Sequence, residues 1–231
     1  MNRLLLIVLL LVQGNAYLFS QETWKRNNLG VHAGMAIPYS DFAKRDFVRD
    51  AGFARSGWNL EVDFLRYEYS FFGYGVNLGY SSPGFDSERY RDSYMEILAD
   101  QEISVTAGNY HMFKGTVGIL LKTPQVSKME FMFMHWIGYS VTLHPEIVVA
   151  SGGFGEINYI EKCTGKRPIM GFILRTNYFV TDRIGISLSY RLNSNHPYFP
   201  DETSQEGGFR LPIKYHTINV GVCYDLRKRE K

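Results

Sequence analysis

Phe72-Gly73-Tyr74-Gly75-Val76-Asn77-Leu78-Gly79-Tyr80-Ser81 puts every large side chain on one parity and only Gly, Asn and Ser on the other. Successive side chains of a strand point to opposite faces, so the segment reads as a strand with two chemically distinct sides. A water-soluble sheet buries its apolar face and shows the polar one to solvent. Here the bulky face is all Phe, Tyr, Val and Leu, while the other is small and polar. A strand looks like this when one side meets lipid and the other lines a polar barrel interior.

The same alternation recurs along the chain. Leu29, Val31, Ala33, Met35 and Ile37 oppose Gly30, His32, Gly34 and Ala36; Trp58, Leu60, Val62 and Phe64 oppose Asn59, Glu61 and Asp63. Met170, Phe172, Leu174, Thr176 and Tyr178 oppose Gly171, Ile173, Arg175 and Asn177. Ile184, Ile186, Leu188, Tyr190 and Leu192 oppose Gly185, Ser187, Ser189, Arg191 and Asn193. Finally, Ile218, Val220, Val222, Tyr224 and Leu226 oppose Thr217, Asn219, Gly221, Cys223 and Asp225. Two further strands, within 110–121 and 129–138, are apolar on both parities. Their registers stay open, and a bulge near Gly115 is expected there.

The connections alternate in length. Residues 38–57, 82–102, 139–167 and 194–212 are long; 67–71, 122–128 and 179–183 are short. Barrels of the bacterial outer membrane have even strand numbers, short periplasmic turns and longer extracellular loops. The expected fold is therefore all-β, an eight-stranded antiparallel up-and-down transmembrane barrel. Ten strands is the alternative if 139–160 pairs into it. Within 86–100, Tyr90, Tyr94, Ile97 and Leu98 have helical spacing and predict a short helix or ordered lid. Tyr67, Tyr69, Tyr178, Phe179 and Tyr224 fall at the periplasmic ends, where an aromatic girdle is expected.

Residues 1–20 read as a signal peptide and 21–231 as the barrel domain. Arg3 supplies the positive start, Leu4 to Val12 the apolar run, and Gly14-Asn15-Ala16 or Phe19-Ser20-Gln21 the cleavage region. The run is too short for a membrane helix, which needs roughly 20 residues, and no Cys nearby suggests lipidation. The mean hydropathy of −0.19 is compatible with a barrel, whose signal is weak per segment. A formal net charge of +2 on scattered Lys and Arg leaves no nucleic-acid footprint. The basic tail, 227–231, reads as a solvated periplasmic end. Cys163 and Cys223 are expected far apart, one in a loop and one near a strand exit. A disulfide needs Cα atoms within about 7 Å, so none is expected.

On its leader, its dyad strands, Gly30-Val-His-Ala-Gly34 with Pro38 after it, and Asn219-Val-Gly-Val-Cys-Tyr-Asp-Leu226, the chain resembles small outer-membrane β-barrel proteins of Gram-negative bacteria, the OmpX/OmpA-like or "porin family" barrels. The resemblance covers nearly the whole mature chain. It implies residence in the outer membrane, contact with outer-membrane lipid and lipopolysaccharide, and a monomer whose loops meet an extracellular protein or glycan. The chain departs from the pattern at its end, where seven residues follow Tyr224 rather than a terminal aromatic.

Chemistry is less legible. Glu61, Asp63, Arg175 and Arg191 fall on inward registers, either as a charged conduit or catalytic cluster, or as ion pairs filling a narrow lumen; the latter is expected, because eight strands enclose just enough space for side chains. An enzyme modifying lipid A would need His, Ser and an acid near the outer rim. His111, His135, His144, His196 and His216, with Ser140, Ser194 and Ser204, form no such motif. No catalytic, cofactor-binding or metal-binding residues are expected, and the anticipated role is non-enzymatic, in surface interaction or membrane integrity with a closed lumen. The loop aromatics Phe42, Phe47, Phe53, Tyr90, Tyr94, Tyr159, Tyr198, Phe199 and Phe209 either meet a partner or pack a cap over the mouth. A soluble lipocalin-like barrel is the rival architecture, with its apolar residues inside. The bulk of Trp58, Phe64, Phe72, Tyr74, Tyr80 and Phe172 favours lipid, because a narrow lumen takes Gly, Ser and Asn more easily.

Overall fold

The computed structural model describes residues 26–45, 51–97, 102–123, 125–153, 155–200 and 208–226. Each alternating segment becomes a strand: β1 (Arg26–Pro38), β2 (Ala54–Tyr67) and β3 (Phe72–Phe85). Then follow β4 (Ile103–Ala107), β5 (His111–Lys122), β6 (Met129–Leu143), β7 (Ile147–Ser151) and β8 (Gly155–Ile160). β9 (Thr164–Phe179), β10 (Ile184–Asn195), β11 (Tyr198–Phe199), β12 (Phe209–Arg210) and β13 (Ile213–Asp225) complete the set. Eight of them close a barrel in which every strand pairs with its predecessor, and β1 meets β13 from Asn28↔Asp225 to Pro38↔Tyr215.

Lipid-facing and lumen-facing residues separate as the dyad predicts. Along β3, Tyr74, Val76 and Leu78 are exposed at 44%, 48% and 68%, whereas Gly73, Gly75 and Asn77 are buried. The outer wall repeats this with Val31, Leu60, Val117, Ile137, Leu174, Leu188 and Val220. Large apolar side chains outside and polar ones inside is the reverse of a lipocalin-like barrel, so that alternative fails. An apolar belt of this extent is stable only against hydrocarbon.

Three expectations need correction. The ten-strand alternative fails: β7 and β8 do form a hairpin from 147–160, but it pairs with β4 in a separate three-stranded sheet, order β4-β7-β8. No bulge occurs at Gly115, since the β5–β6 ladder runs unbroken from His111↔Leu143 to Lys122↔Met132. Both parities are apolar because Leu120, Met132, Met134 and Trp136 form an apolar plug inside the barrel with Leu65, Tyr67 and Ile173. The β2–β3 ladder slips instead between Arg55 and Trp58, at the end of the β1–β2 ladder at Ala36↔Gly57. Tyr69, Tyr178 and Tyr224 are exposed at the rim as a girdle requires, but Tyr67 and Phe179 turn inward. They continue the inward parities of Leu65 and Asn177, and both rings meet the Arg26 guanidinium at 5.6 and 4.6 Å.

The long connections hold the remaining structure. Helix α1 (Ser87–Ile97) spans the expected helical stretch. Asp86 starts it, its Oδ1 accepting the Arg89 N–H at 3.2 Å, a standard N-cap arrangement. Phe47, Leu98, Ser204, residues 1–20 and the tail 227–231 lie outside the described residues.

Candidate functional site

The lumen is stacked in tiers of charge. At the short-turn end, Arg26 Nε meets Asp225 Oδ2 at 2.7 Å and Arg26 Nη1 meets Glu130 Oε2 at 3.2 Å. Lys122 Nζ reaches the same Glu130 oxygen at 2.7 Å. Higher up, Arg175 pairs with Asp63. His32 lies between two partners, with Nε2 2.9 Å from Asp63 Oδ2 and Nδ1 2.9 Å from Ser187 Oγ. Above that, Glu61 faces two cations: Lys114 Nζ at 2.8 Å and Arg191 Nη2 at 2.9 Å. Asn59 and Asn77 donate to the same carboxylate at 3.2 and 3.4 Å, and Asn219 accepts from Asn59 at 2.9 Å.

The four sequence candidates Glu61, Asp63, Arg175 and Arg191 are thus brought together as neighbouring ion pairs. Leaving any one without its partner strands a buried charge, which costs about 3–5 kcal/mol. Two glycines of the β1 and β13 signatures make room for the imidazole. A Cβ at Gly30 would strike His32 Nε2 and the Asp63 carboxylate, and one at Gly221 would strike His32 Nδ1. Spacing alone explains neither glycine, since strands tolerate glycine poorly; close approach of a neighbouring side chain does.

Among the described residues, none of the histidines named from the sequence meets a serine. His111 and His216 face outward beside Tyr80 and Tyr190, at 2.6 and 2.7 Å. His135 packs on Phe172, and His196 is exposed. Ser140 Oγ accepts from Asn195 and donates to the Arg167 carbonyl. The Ser–His–acid chain that does form, Ser187–His32–Asp63, lies in the lumen on three different strands rather than near the outer rim, so no local motif announces it. Its signal was present: all three residues hold inward parity on β10, β1 and β2. It is sealed, with Ser187, His32 and Asp63 all buried.

A second hydrophobic core packs at the outer rim. Phe42, Phe53, Phe85, Tyr90, Tyr110, Ile147, Val149 and Phe199 pack there against Met112, Ile213 and Tyr215 of the barrel rim. The Tyr110 hydroxyl donates to the Gly52 carbonyl at 2.7 Å, tying two loops together. His144 sits inside this core, its ring 5.3 Å from Tyr110 and 5.5 Å from Phe199. Burial pushes its pKa down to about 4. Most loop aromatics therefore fill the cap, while Tyr159 and Tyr198 stand on its surface. Cys163 lies in this outer region, where its carbonyl accepts the His144 N–H at 2.8 Å. Cys223 is at the other end, level with Gly185 and Gly30.

An eight-strand meander with an ion-paired lumen, an apolar outer wall and long loops on one rim only has the architecture of an outer-membrane β-barrel. No protein-family model and no curated protein matches the chain. Among solved structures it is similar to Neisserial surface protein A, NspA, with 10% identity and a TM-score of 0.52 over 86% of this chain and 96% of that one. OprG of Pseudomonas aeruginosa gives 10% identity and a TM-score of 0.48, covering 88% and 98%. Ail of Yersinia pestis gives 10% and 0.45, covering 87% and 99%. The likeness to NspA is one of fold.

Proposed function

We propose that this protein is an exported, monomeric outer-membrane barrel whose lumen is closed and whose folded extracellular cap is the working part, meeting an extracellular protein or glycan. The observation that carries this reading is the double blockage: ion-paired tiers through the lumen and a packed aromatic core across the mouth. An open aqueous channel needs about 16 strands, and this barrel has eight. A cap with its own sheet, helix and core is more structure than a turn between strands requires. The wall below it rests in lipid, with lipopolysaccharide around its outer half, and residues 1–20 direct export.

The non-enzymatic part of the reading rests on access. Ser187–His32–Asp63 has the residue types of a nucleophilic relay, but acyl chains in the surrounding membrane have no route to Ser187. The test is electrical. Purified protein reconstituted in planar bilayers is expected to give no conductance steps. Regular single-channel conductance steps from the purified protein would contradict the closed lumen.

A further inference from the structure

The β4-β7-β8 sheet stands above the outer rim. β4 has α1 packed against it, and β7 is central. β8 pairs with β7 on one side, and among the described residues no strand pairs with its other side. A strand edge presents a row of unpaired N–H and C=O groups, which native proteins usually blunt with Pro, Lys or a covering element. Gly155–Ile160 contains neither Pro nor Lys. Its irregularity lies opposite Val149 and Ala150, which leaves Asn158, Tyr159 and Ile160 in regular register with Val149, Val148 and Ile147.

Two neighbouring features give this edge a direction and a sign. Beyond Ile160 it leads into a cavity of about 260 Å³ between the 160–164 link and Pro200 and Phe209 of the last loop. Along the strand the field is acidic. The Tyr159 hydroxyl donates to Glu146 Oε1 at 3.1 Å. That bond, with the charges of Glu146, Glu161 and Glu156, holds the phenol pKa above its usual value. Among the described residues lining the cavity, Glu161 and Lys162 are the charged ones.

We propose that the outer edge of β8 is a docking edge for an extended cationic segment of another extracellular protein. The segment adds to the sheet as a fourth strand and places one side chain in the cavity beside Phe209. In strand addition, main-chain hydrogen bonds supply affinity and side-chain pockets supply specificity. A second copy of this chain is the less suitable occupant, because antiparallel self-pairing brings Glu156 and Glu161 of two β8 edges into one acidic seam, and like charges opposed across strands destabilise pairing. The inference rests on the reading of the cap as the working part.

The test uses the full protein in lipid nanodiscs and three ten-residue peptides. One alternates Lys with Val and Thr; the second has the same sequence with alternate backbone nitrogens methylated; the third has Glu for Lys. Binding is expected for the first only, with at least tenfold weaker binding of the other two and amide-exchange protection appearing over 155–160. The double variant Glu156→Lys/Glu161→Lys, which alters exposed positions and spares the cap core, is expected to weaken the first peptide at least tenfold. Absence of binding overturns the proposal. So does equal binding of the methylated or acidic peptide, or dimerisation of the protein through 155–160. A silent barrel that binds no peptide removes the docking edge alone. A conducting barrel that binds the peptide removes the closed-lumen reading and leaves the edge standing.

Discussion

Glu61 is the single carboxylate between Lys114 and Arg191, at 2.8 and 2.9 Å, and this asymmetry makes opposite substitutions unequal. Glu61→Gln keeps the shape and leaves two buried cations facing each other across an amide. Each pair is worth on the order of 5 kcal/mol of gross Coulomb attraction at an effective dielectric near 20. Desolvation offsets much of that, and the net cost of breaking a buried pair is about 3–5 kcal/mol. Lys114→Met is a different perturbation, because Glu61 retains Arg191 and the repulsion between the two cations disappears. Its expected cost is under about 1.5 kcal/mol, the scale of one hydrogen bond. The assay is urea unfolding of each variant in lipid vesicles, followed by heat-modified mobility on a gel and by Trp fluorescence. With an unchanged m-value, Glu61→Gln should lower the midpoint by at least twice as much as Lys114→Met. Equal losses would refute the reasoning, as would a Glu61→Gln variant within about 1 kcal/mol of the parent.

Other consequences follow from the same geometry. Because folding lowers the His144 pKa from 6.5 to about 4, the unfolded chain binds the extra proton between those values. Cap stability should therefore fall as pH drops through this window, by up to about 3 kcal/mol; limited proteolysis of the cap between pH 7 and pH 4 reads this, and His144→Phe should flatten the dependence. Gly30→Ala and Gly221→Ala should each displace the His32 ring and cost about 1–3 kcal/mol, the usual price of overpacking, measured by the urea midpoint. Val117→Arg, on the lipid face of β5, should cost about 2–4 kcal/mol in vesicles if it sits near the bilayer midplane, whereas the same change at exposed Ser104 on β4 should cost almost nothing.

The barrel strands were legible because a two-residue period and a change of side-chain bulk coincide along β2, β3, β9, β10 and β13. Where the lumen itself is apolar, the code fails: Leu120, Met134 and Trp136 give β5 and β6 two apolar faces, and parity no longer says which one meets lipid. The inward turn of Tyr67 and Phe179 followed from parity, but girdle chemistry suggested the opposite until the Arg26 guanidinium supplied a partner. The cap sheet was only half legible: the β7–β8 hairpin falls within the 139–160 alternative, but its pairing with β4 does not. β4 lies in the connection between β3 and β5, just beyond the expected loop 82–102, and β7–β8 in the third long loop, so the pairing Ile103↔Ser151 joins residues with no periodic signal linking them. The lumen chain Ser187–His32–Asp63 lay between these extremes, fixed by parity yet recognisable only once the strands closed into a ring.

The central claim is a cap held at the cell surface by a membrane-spanning barrel with its short turns inside. Single cysteines test it in a background with Cys163→Ser and Cys223→Ser: Tyr159→Cys on β8 and Val126→Cys on the short β5–β6 turn, both exposed positions. Intact cells are treated with a membrane-impermeant maleimide. The account predicts labelling at position 159 in intact cells and at position 126 only after the outer membrane is permeabilised. Labelling of 126 but not 159, or of both positions in intact cells, would contradict it.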